Sequence, residues 1–472
     1  MSIKSIHIWL TAAALLTALT VYGRDDTATL ADRLPAQWLY EPAATQPFPT
    51  DDNWWKQLGD PLLDSLIAEG EQANLNLLQA RRRIAIARQG INRARAAYWP
   101  SLSLSAGWNK ARQSGDESAV VGRPVTVDYF SAGIDMQWEI DVFGKVRKSV
   151  EQQKASYRAS RADYASVSVS VCAEIASSYI GLRSLQRQLE VTREHVEEQR
   201  KVMKITEARF ETGLASMLDV SQARTVYYST LASIETLRTS VATTVNALAV
   251  LTGIFPADMA RRVNAPVGLP EATALVPKSV PSDLLRRRPD VVAAEAQLAA
   301  SAAAVGVAKK DFLPTLSLQG SIGTAAHDFD DLMTHRSFTY AIAPKLSWTI
   351  FDGFARKAAV ASAREEMLAS IDAYNLTLLT AVQEVDDALV TYANAVSYEQ
   401  SLRKVIEAAQ TAAGLSLDRY KQGLDAFINV AQAQITLLQY SNELVAARAQ
   451  SLTALVTLYK ALGGGWATDM KQ

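Results

Sequence analysis

Cysteine and histidine are scarce in this chain, with one cysteine and four histidines among 472 residues. A single cysteine excludes an internal disulfide, and Cys172 lies in a helical apolar stripe, which indicates a buried, unreactive thiol. The histidines do not show the paired spacing of a zinc site. The sequence therefore predicts no bound metal and no other cofactor.

An excess of charge and the common enzyme motifs are missing as well. The chain has 48 Lys and Arg against 49 Asp and Glu, a net charge of −1. This balance gives no electrostatic bias toward a phosphate backbone, so no nucleic-acid partner is expected. The sequence contains no nucleophile elbow, phosphate-binding loop or dinucleotide-binding glycine pattern, and we predict no enzymatic activity.

A long uncharged apolar run occurs only at the start. Residues 1–23 combine Lys4, an apolar run and a small-residue ending at Gly23, which is typical of a secretory signal peptide. Beyond it, no uncharged apolar stretch of about 18 residues or more is found, so no membrane-spanning helix is expected. If the mature chain crosses a bilayer, it must use strands.

Proline is missing from two long segments, residues 144–210 and about 354–419. In the first, apolar residues recur at steps of seven: Leu182, Leu189, Val196, Met203 and Phe210. Sustained steps of seven predict left-handed coiling, and an unbroken helix of this length reaches roughly 100 Å. Shorter helices at about 217–251 and 429–462 are predicted to run back along these rods.

Alternation of apolar and polar residues predicts four strands, at about 101–110, 129–140, 314–323 and 337–350. Each has one apolar and one polar face, and the apolar faces carry aromatics: Trp108, Trp138, Tyr340 and Trp348. Pro344 falls within the last strand, so a bulge or an unpaired edge is expected there.

The same order of elements occurs twice, which predicts an internally duplicated, mainly α fold with a small β part. Each half is helix, strand, strand, long helix, shorter helix, and single opening helices are expected at 61–99 and 282–312. The predicted divisions are a signal peptide (1–23), an extended arm (24–60), repeat 1 (61–252), a linker (253–281), repeat 2 (282–463) and a tail (464–472).

The turn between the two helices of each hairpin is also repeated. Residues 209–219, the first tip, return 210 residues later as 419–429, the second tip. Each contains an arginine and a Gly-Leu pair: Arg209, Gly213 and Leu214, then Arg419, Gly423 and Leu424. The glycine is typical of a helix ending in a left-handed residue.

Strands with an apolar exterior and a polar partner face suit a barrel with lipid outside and water inside. Four strands are too few to close one, because unpaired edges are not tolerated in lipid and about eight strands are the practical minimum. Two chains would give eight strands and a filled interior, whereas three would give twelve and a water-filled bore.

The doubled order, the tip motifs and two further segments resemble the TolC-like outer membrane factors, most closely the NodT-type branch of tripartite efflux pumps. The two segments are Trp54-Trp55-Lys56-Gln57-Leu58-Gly59-Asp60-Pro61-Leu62-Leu63 and Leu284-Leu285-Arg286-Arg287-Arg288-Pro289-Asp290-Val291. The resemblance implies a homotrimer with a 12-stranded barrel in the outer membrane of a Gram-negative bacterium, continued by a periplasmic α-helical coiled-coil barrel. It also implies a periplasmic adaptor protein and an inner-membrane transporter as partners.

The resemblance further assigns roles to residues near the tips. Arg209, Gly213, Leu214, Arg419, Gly423 and Leu424 would meet the adaptor, although glycine and arginine can also serve only to cap a helix end. The positions that close the periplasmic end in this family are matched by Asp219, Gln222, Asn429 and Gln432. The alternative is that Asp219 and Asn429 are ordinary first-turn helix residues. Arg24 follows the signal peptide where the branch usually has a lipid-bearing cysteine, so a non-lipidated chain is expected.

The expected function is a passive exit duct for efflux of small toxic compounds. Two alternatives remain open from the sequence. The exit duct of a type I protein or siderophore secretion system would share these features, and a periplasmic coiled-coil scaffold without a pore would share the helices.

Overall fold

The computed structural model describes residues 29–35, 38–40, 53–114, 124–265, 268–271 and 288–464. The predicted signal peptide, Arg24 and residues 465–472 lie outside the described residues. In the described part, the elements follow in the order α1 (Pro61–Ala73), α2 (Leu75–Ala96), β1 (Ser101–Gln113), β2 (Val125–Ile140), α3 (Lys145–Glu211), α4 (Met217–Thr252), α5 (Pro256–Val263), α6 (Pro289–Lys310), β3 (Thr315–Ala326), β4 (Phe338–Ser347), α7 (Ala355–Lys421) and α8 (Phe427–Ala461).

Two long helical hairpins dominate the molecule. Helices α3 and α7 have 67 residues each, so each spans roughly 100 Å. Helices α4 and α8, of 36 and 35 residues, return along them. We call α3 with α4 the first hairpin and α7 with α8 the second; both point their tips away from the sheet.

The largest apolar core lies where α1, α3, α4 and α8 converge. Trp54 and Trp55 from the N-terminal arm are buried in it, and the Trp54 ring stacks on Tyr459 with centroids 5.3 Å apart. A buried polar chain crosses the same region: Tyr179 donates to Asp60 at 2.6 Å, and Arg183 donates to the Tyr179 hydroxyl at 3.0 Å. The arm, α1 and α3 are thereby fixed to one another at the centre of the molecule.

Two helices, α3 and α6, are long and apolar enough to cross a membrane by length and composition. We expected no such helix from the sequence, because that expectation required an uncharged apolar run. In each of these two helices a glutamate, Glu174 or Glu295, interrupts the apolar part. In α3, the segment from Val171 to Leu182 supplies buried residues to the main core. Packing between helices therefore accounts for the apolar character of α3.

The predicted single helix over 61–99 is wrong, because it breaks at Asn74 and ends at Ala96. The Asn74 side chain accepts hydrogen bonds from the N–H groups of Asn76 and Leu77, at 2.9 and 3.1 Å, as an N-cap does. Its Nδ2 donates to the carbonyl of Leu251 at 2.8 Å. The break thus fastens the start of α2 to the end of α4.

Replacing Asn74 by Ala is expected to destabilise the protein by about 1–2 kcal/mol, because it removes the cap and the donor to Leu251. The apparent melting temperature in detergent measures the effect. Asn76→Ala is the control, since Asn76 is exposed beside the same break. Equal melting temperatures for the two variants would contradict this role of Asn74.

The predicted linker 253–281 contains a helix, α5. Pro256 occupies the first turn of α5, where a proline is favourable because its missing N–H has no intrahelical partner there. Pro256 therefore starts a helix inside the predicted linker. The predicted helix over 282–312 is described from residue 288 onward, and α6 ends at Lys310.

The four strands form one antiparallel sheet in the order β1-β2-β3-β4. Strands β1 and β2 are longer than predicted at their loop ends. The register continues there to the pair Gln113 and Val125, beyond Lys110 and Asp128, whose side chains lie 3.5 Å apart. Strand β4 is shorter than predicted and stops at Ser347, where the chain turns toward α7. Pro344 pairs with Leu318 in unbroken register, and β4 is the outermost strand of the sheet within one chain. In the single chain, the edge alternative for Pro344 is therefore correct and the bulge is not.

Candidate functional site

One face of the sheet is apolar and exposed. The register aligns Leu104, Ile134, Ile322 and Tyr340 in a single row across all four strands. These side chains are between 45% and 82% exposed. A water-facing sheet would have to cover such a row, whereas lipid is a suitable environment for it.

The opposite face is polar and concave. One row across it consists of Ser103, Asp135, Ser321 and Ala341, and these residues line a concavity of about 370 Å³. The strands approach closely at the glycine pair Gly133 and Gly323, where a Cβ on Gly323 would lie 2.5 Å from the carbonyl oxygen of Ala132. Small residues on this face therefore allow the sheet to curve toward it.

Two tryptophans hold the junctions between helices and strands in the same way in both repeats. The Trp138 indole N–H donates to the carbonyl of Tyr98 at 3.0 Å, just before β1. The Trp348 indole donates to the carbonyl of Phe312, also at 3.0 Å, just before β3. Two of the aromatic residues predicted on the apolar faces thus also satisfy backbone carbonyls just after α2 and α6.

Both tips end their long helix with the same hydrogen-bond pattern. In the first tip, the N–H of Leu214 donates to the carbonyl of Arg209 at 2.8 Å, and that of Gly213 donates to Phe210 at 2.9 Å. Leu424 and Gly423 make the equivalent bonds in the second tip, both at 2.9 Å. The φ angles of Gly213 and Gly423 are +73° and +76°, which complete two Schellman motifs.

The two tip arginines have related but unequal contacts. Each donates to the carbonyl of the leucine in its own turn: Arg209 to Leu214 at 3.3 Å and Arg419 to Leu424 at 3.5 Å. Arg209 also reaches the other hairpin, where it donates to the carbonyl of Lys421 at 2.7 Å and lies over the Tyr420 ring. Arg209 therefore joins the two hairpins at their tips.

The tips combine a small buried cluster with an exposed apolar rim. Tyr420 and Phe427 pack edge to face inside the cluster, with ring centroids 5.2 Å apart, against Val202, Ala223 and Val226 of the first hairpin. The exposed rim consists of Phe210, Leu214, Met217, Leu218, Leu424 and Ile428. A folded tip thus presents large apolar side chains to its surroundings.

The residues predicted for the periplasmic constriction lie in the first two turns of α4 and α8. Asp219 forms a capping box with Ser216, whose backbone N–H it accepts at 2.9 Å. Asn429 donates to Asp425 at 2.6 Å, and Gln432 donates to Thr436 at 3.4 Å. Gln222 is half-buried on the first turn after Asp219. Within one chain, Asp219 and Asn429 therefore have local partners at the tips.

Asp425 is a tip residue that sequence reasoning missed. It accepts from Asn429 and from the N–H of Ala426, and it lies 3.5 Å from Arg419. The hydrogen bond from Asn429, that N–H and the charge of Arg419 hold the pKa of the Asp425 carboxyl below its usual value. Its place just before the N-terminus of α8, where a carboxylate is favourable, was the available signal. At neutral pH, Asp425 is therefore a fixed negative charge on the second tip.

A polar stripe runs along the half of α3 that leads to the first tip. Thr192, Gln199 and Thr206 follow each other at steps of seven and are all buried. Thr192 accepts from Asn442 of α8 at 3.3 Å, whereas both side-chain polar atoms of Gln199 are buried without a hydrogen-bond partner. Gln199 lies one heptad after Thr192, so we infer that it is on the same face of α3, toward the second hairpin. Packing at Gln199 is therefore less favourable than an apolar layer would be.

Comparison with known proteins agrees with this geometry. The sequence profile of the family "Outer membrane efflux protein" matches residues 66–254 and 280–464. The chain is 30% identical over 437 residues to the toluene efflux pump outer membrane protein TtgC of Pseudomonas putida, covering 91% of this chain and 90% of that protein. It is 28% identical over 413 residues to nodulation protein T of Rhizobium leguminosarum bv. trifolii, covering 88% of each.

Among solved structures, the outer-membrane channel OprN superposes with a TM-score of 0.83 at 28% identity, covering 90% of this chain and 98% of that one. The resemblance inferred from the duplicated motifs is thereby confirmed, including its NodT-type branch. The chain belongs to the outer membrane efflux protein family and has the TolC-like fold.

Proposed function

We propose that three copies of this outer-membrane protein form one exit duct that passively conducts small toxic compounds to the cell exterior. Each copy contributes four strands to a 12-stranded barrel, and the helical hairpins continue the passage into the periplasm. A periplasmic adaptor protein binds the tips, and an inner-membrane transporter supplies the energy.

The observation that carries this proposal is the sheet with one exposed apolar face, one polar concave face and two free edges. Among the described residues, strands β1 and β4 each pair with another strand on one side only. Lipid does not tolerate such edges, so the sheet must close with further copies. Twelve strands leave a water-filled bore, in contrast to eight. A scaffold without a pore leaves the apolar row of Leu104, Ile134, Ile322 and Tyr340 unexplained.

Docking of an adaptor at the tips is supported by their exposed apolar rim. Leu214 is 66% exposed and Leu424 is 61% exposed, at equivalent positions of the two repeats. The Schellman motifs hold these leucines in a defined orientation, which lowers the entropy lost on binding. Export of small compounds, in preference to a secreted protein or a siderophore, is favoured by the relative named as a toluene efflux pump component.

The proposed duct must open at its periplasmic end. We place the opening at the contact between the two hairpins around Gln199, which we call the seam. Gln199→Leu removes two buried polar atoms without partners, each of which destabilises the contact by about 1–3 kcal/mol. The variant is therefore expected to hold the hairpins together and to reduce export several-fold. Gln199→Glu places a charge in the seam and is expected to make the duct leaky to antibiotics. Dye-efflux rates and antibiotic sensitivity measure the two effects; a change in the same direction for both variants would refute the assignment.

The mass of the particle extracted in detergent tests the assembly. A particle of three chains is expected, each slightly lighter than the 51.3 kDa of the full sequence because the signal peptide is removed. Photo-crosslinkers at Leu214 and Leu424 should then capture an adaptor in cells, while a crosslinker at Tyr340 on the lipid-facing row should not. A single-chain, water-soluble particle would overturn the proposed duct.

A further inference from the structure

The polar face of the sheet carries few charges, and they are unevenly placed. On the described strands, the charged side chains of this face are Asp135, Glu139 and Lys345. Glu139 and Lys345 occupy one row, on either side of Ser317, so their charges offset each other. Asp135 lies two rows away in the row of Ser103, Ser321 and Ala341, which carries no cation.

Asp135 faces the concave side and is open to solvent. Its carboxylate accepts a hydrogen bond from the Ser105 hydroxyl at 2.9 Å and lines the concavity of about 370 Å³. Two rows along a strand separate Asp135 from Glu139 by roughly 13 Å. This exceeds the Debye length of about 10 Å at 0.1 M salt, so the row of Glu139 and Lys345 has little influence at Asp135.

We propose that Asp135 makes the bore of the barrel prefer cationic solutes over anionic ones. This inference rests on the proposed trimer, in which three Asp135 carboxylates lie at one height around the same passage. A low-dielectric wall on the lipid side concentrates their field in the bore. Cationic and neutral compounds would pass this level more readily than anionic compounds of the same size.

A thiol introduced by Ser103→Cys can report the local potential, because Ser103 pairs directly with Asp135. The background is low: the chain has one natural cysteine, Cys172, which is buried, and burial raises the pKa of its thiol. The probes are a cationic and an anionic methanethiosulfonate of similar size, added to the outside of cells. Their rate ratio depends on the field beside Asp135 and is independent of the periplasmic constriction.

Asp135→Asn in the Ser103→Cys background is expected to reduce the cation-to-anion rate ratio by about three-fold or more at low salt, with little change at 1 M salt. Asp128→Asn is the matched control, since Asp128 lies on the same strand but on the opposite face and pairs with Lys110. It should leave the ratio unchanged.

An unchanged ratio in Asp135→Asn, or an equal change in Asp128→Asn, would overturn the role of Asp135. A reporter thiol that reacts with neither probe in an assembled trimer would also overturn it, because the polar face would then be dry. Failure of the unsubstituted protein to assemble as three copies would instead contradict the proposed function.

Discussion

Gly323→Val is expected to prevent assembly of the barrel and to lower the amount of protein in the outer membrane by about ten-fold or more. A Cβ at Gly323 would lie 2.5 Å from the Ala132 carbonyl oxygen and 2.7 Å from the Gly133 Cα. Both are backbone atoms of β2 and cannot move aside without breaking the pairing of β2 with β3. That pairing is the connection between the strands of repeat 1 and those of repeat 2.

Gly107→Val provides the matched control for this experiment. Gly107 lies on the same polar face, but a Cβ there would meet nothing within 4 Å. Valine also favours the strand conformation, so this variant should assemble normally. The amount of trimer in outer-membrane fractions, measured by native electrophoresis, is the readout. Normal assembly of Gly323→Val would show that the close approach of β2 and β3 is unnecessary.

Gly423→Pro is expected to abolish export while the trimer stays in the membrane. Proline requires a φ near −65°, whereas Gly423 has a φ of +76°, and proline also removes the N–H that donates to Tyr420 at 2.9 Å. The Schellman motif of the second tip is then lost, with the position of Leu424 on the rim. The sheet lies at the other end of a helix roughly 100 Å long, so it should be unaffected.

Asparagine separates this backbone effect from the loss of glycine itself. Asn tolerates the left-handed conformation better than other non-glycine residues, so Gly423→Asn should keep the tip and most of the export. Antibiotic sensitivity and the amount of trimer are measured together for both variants. Loss of the trimer in Gly423→Pro would instead assign the second tip a structural role in assembly.

Local periodicity was sufficient to predict the strands, the long helices and the two tips. Alternation around Phe130 to Ile140 located β2, and the glycine at position 213 marked the end of α3, because both signals depend on residues close together in the sequence. Capping at Asn74 was missed because the apolar period continues on both sides of it. The break is recognisable only from the structure, where the Asn74 side chain accepts from the N–H groups of Asn76 and Leu77 and donates to the distant carbonyl of Leu251.

The tip contacts illustrate a second limit. The duplication identified Arg209 and Arg419 as equivalent, and each does hold its own turn. The bond from Arg209 to Lys421 joins residues 212 positions apart, and no local pattern encodes it. The unsatisfied Gln199 is similar, since its heptad position alone predicts burial but not the lack of a partner.

Planar-bilayer recording of the purified protein tests the central claim most directly. If three copies enclose a water-filled passage, the protein should produce discrete ion-conducting steps, and Gly323→Val should produce none. A folded protein with the expected helix content that inserts into the bilayer and conducts no ions, even as the Gln199→Glu variant that should leave the periplasmic end open, would contradict the account.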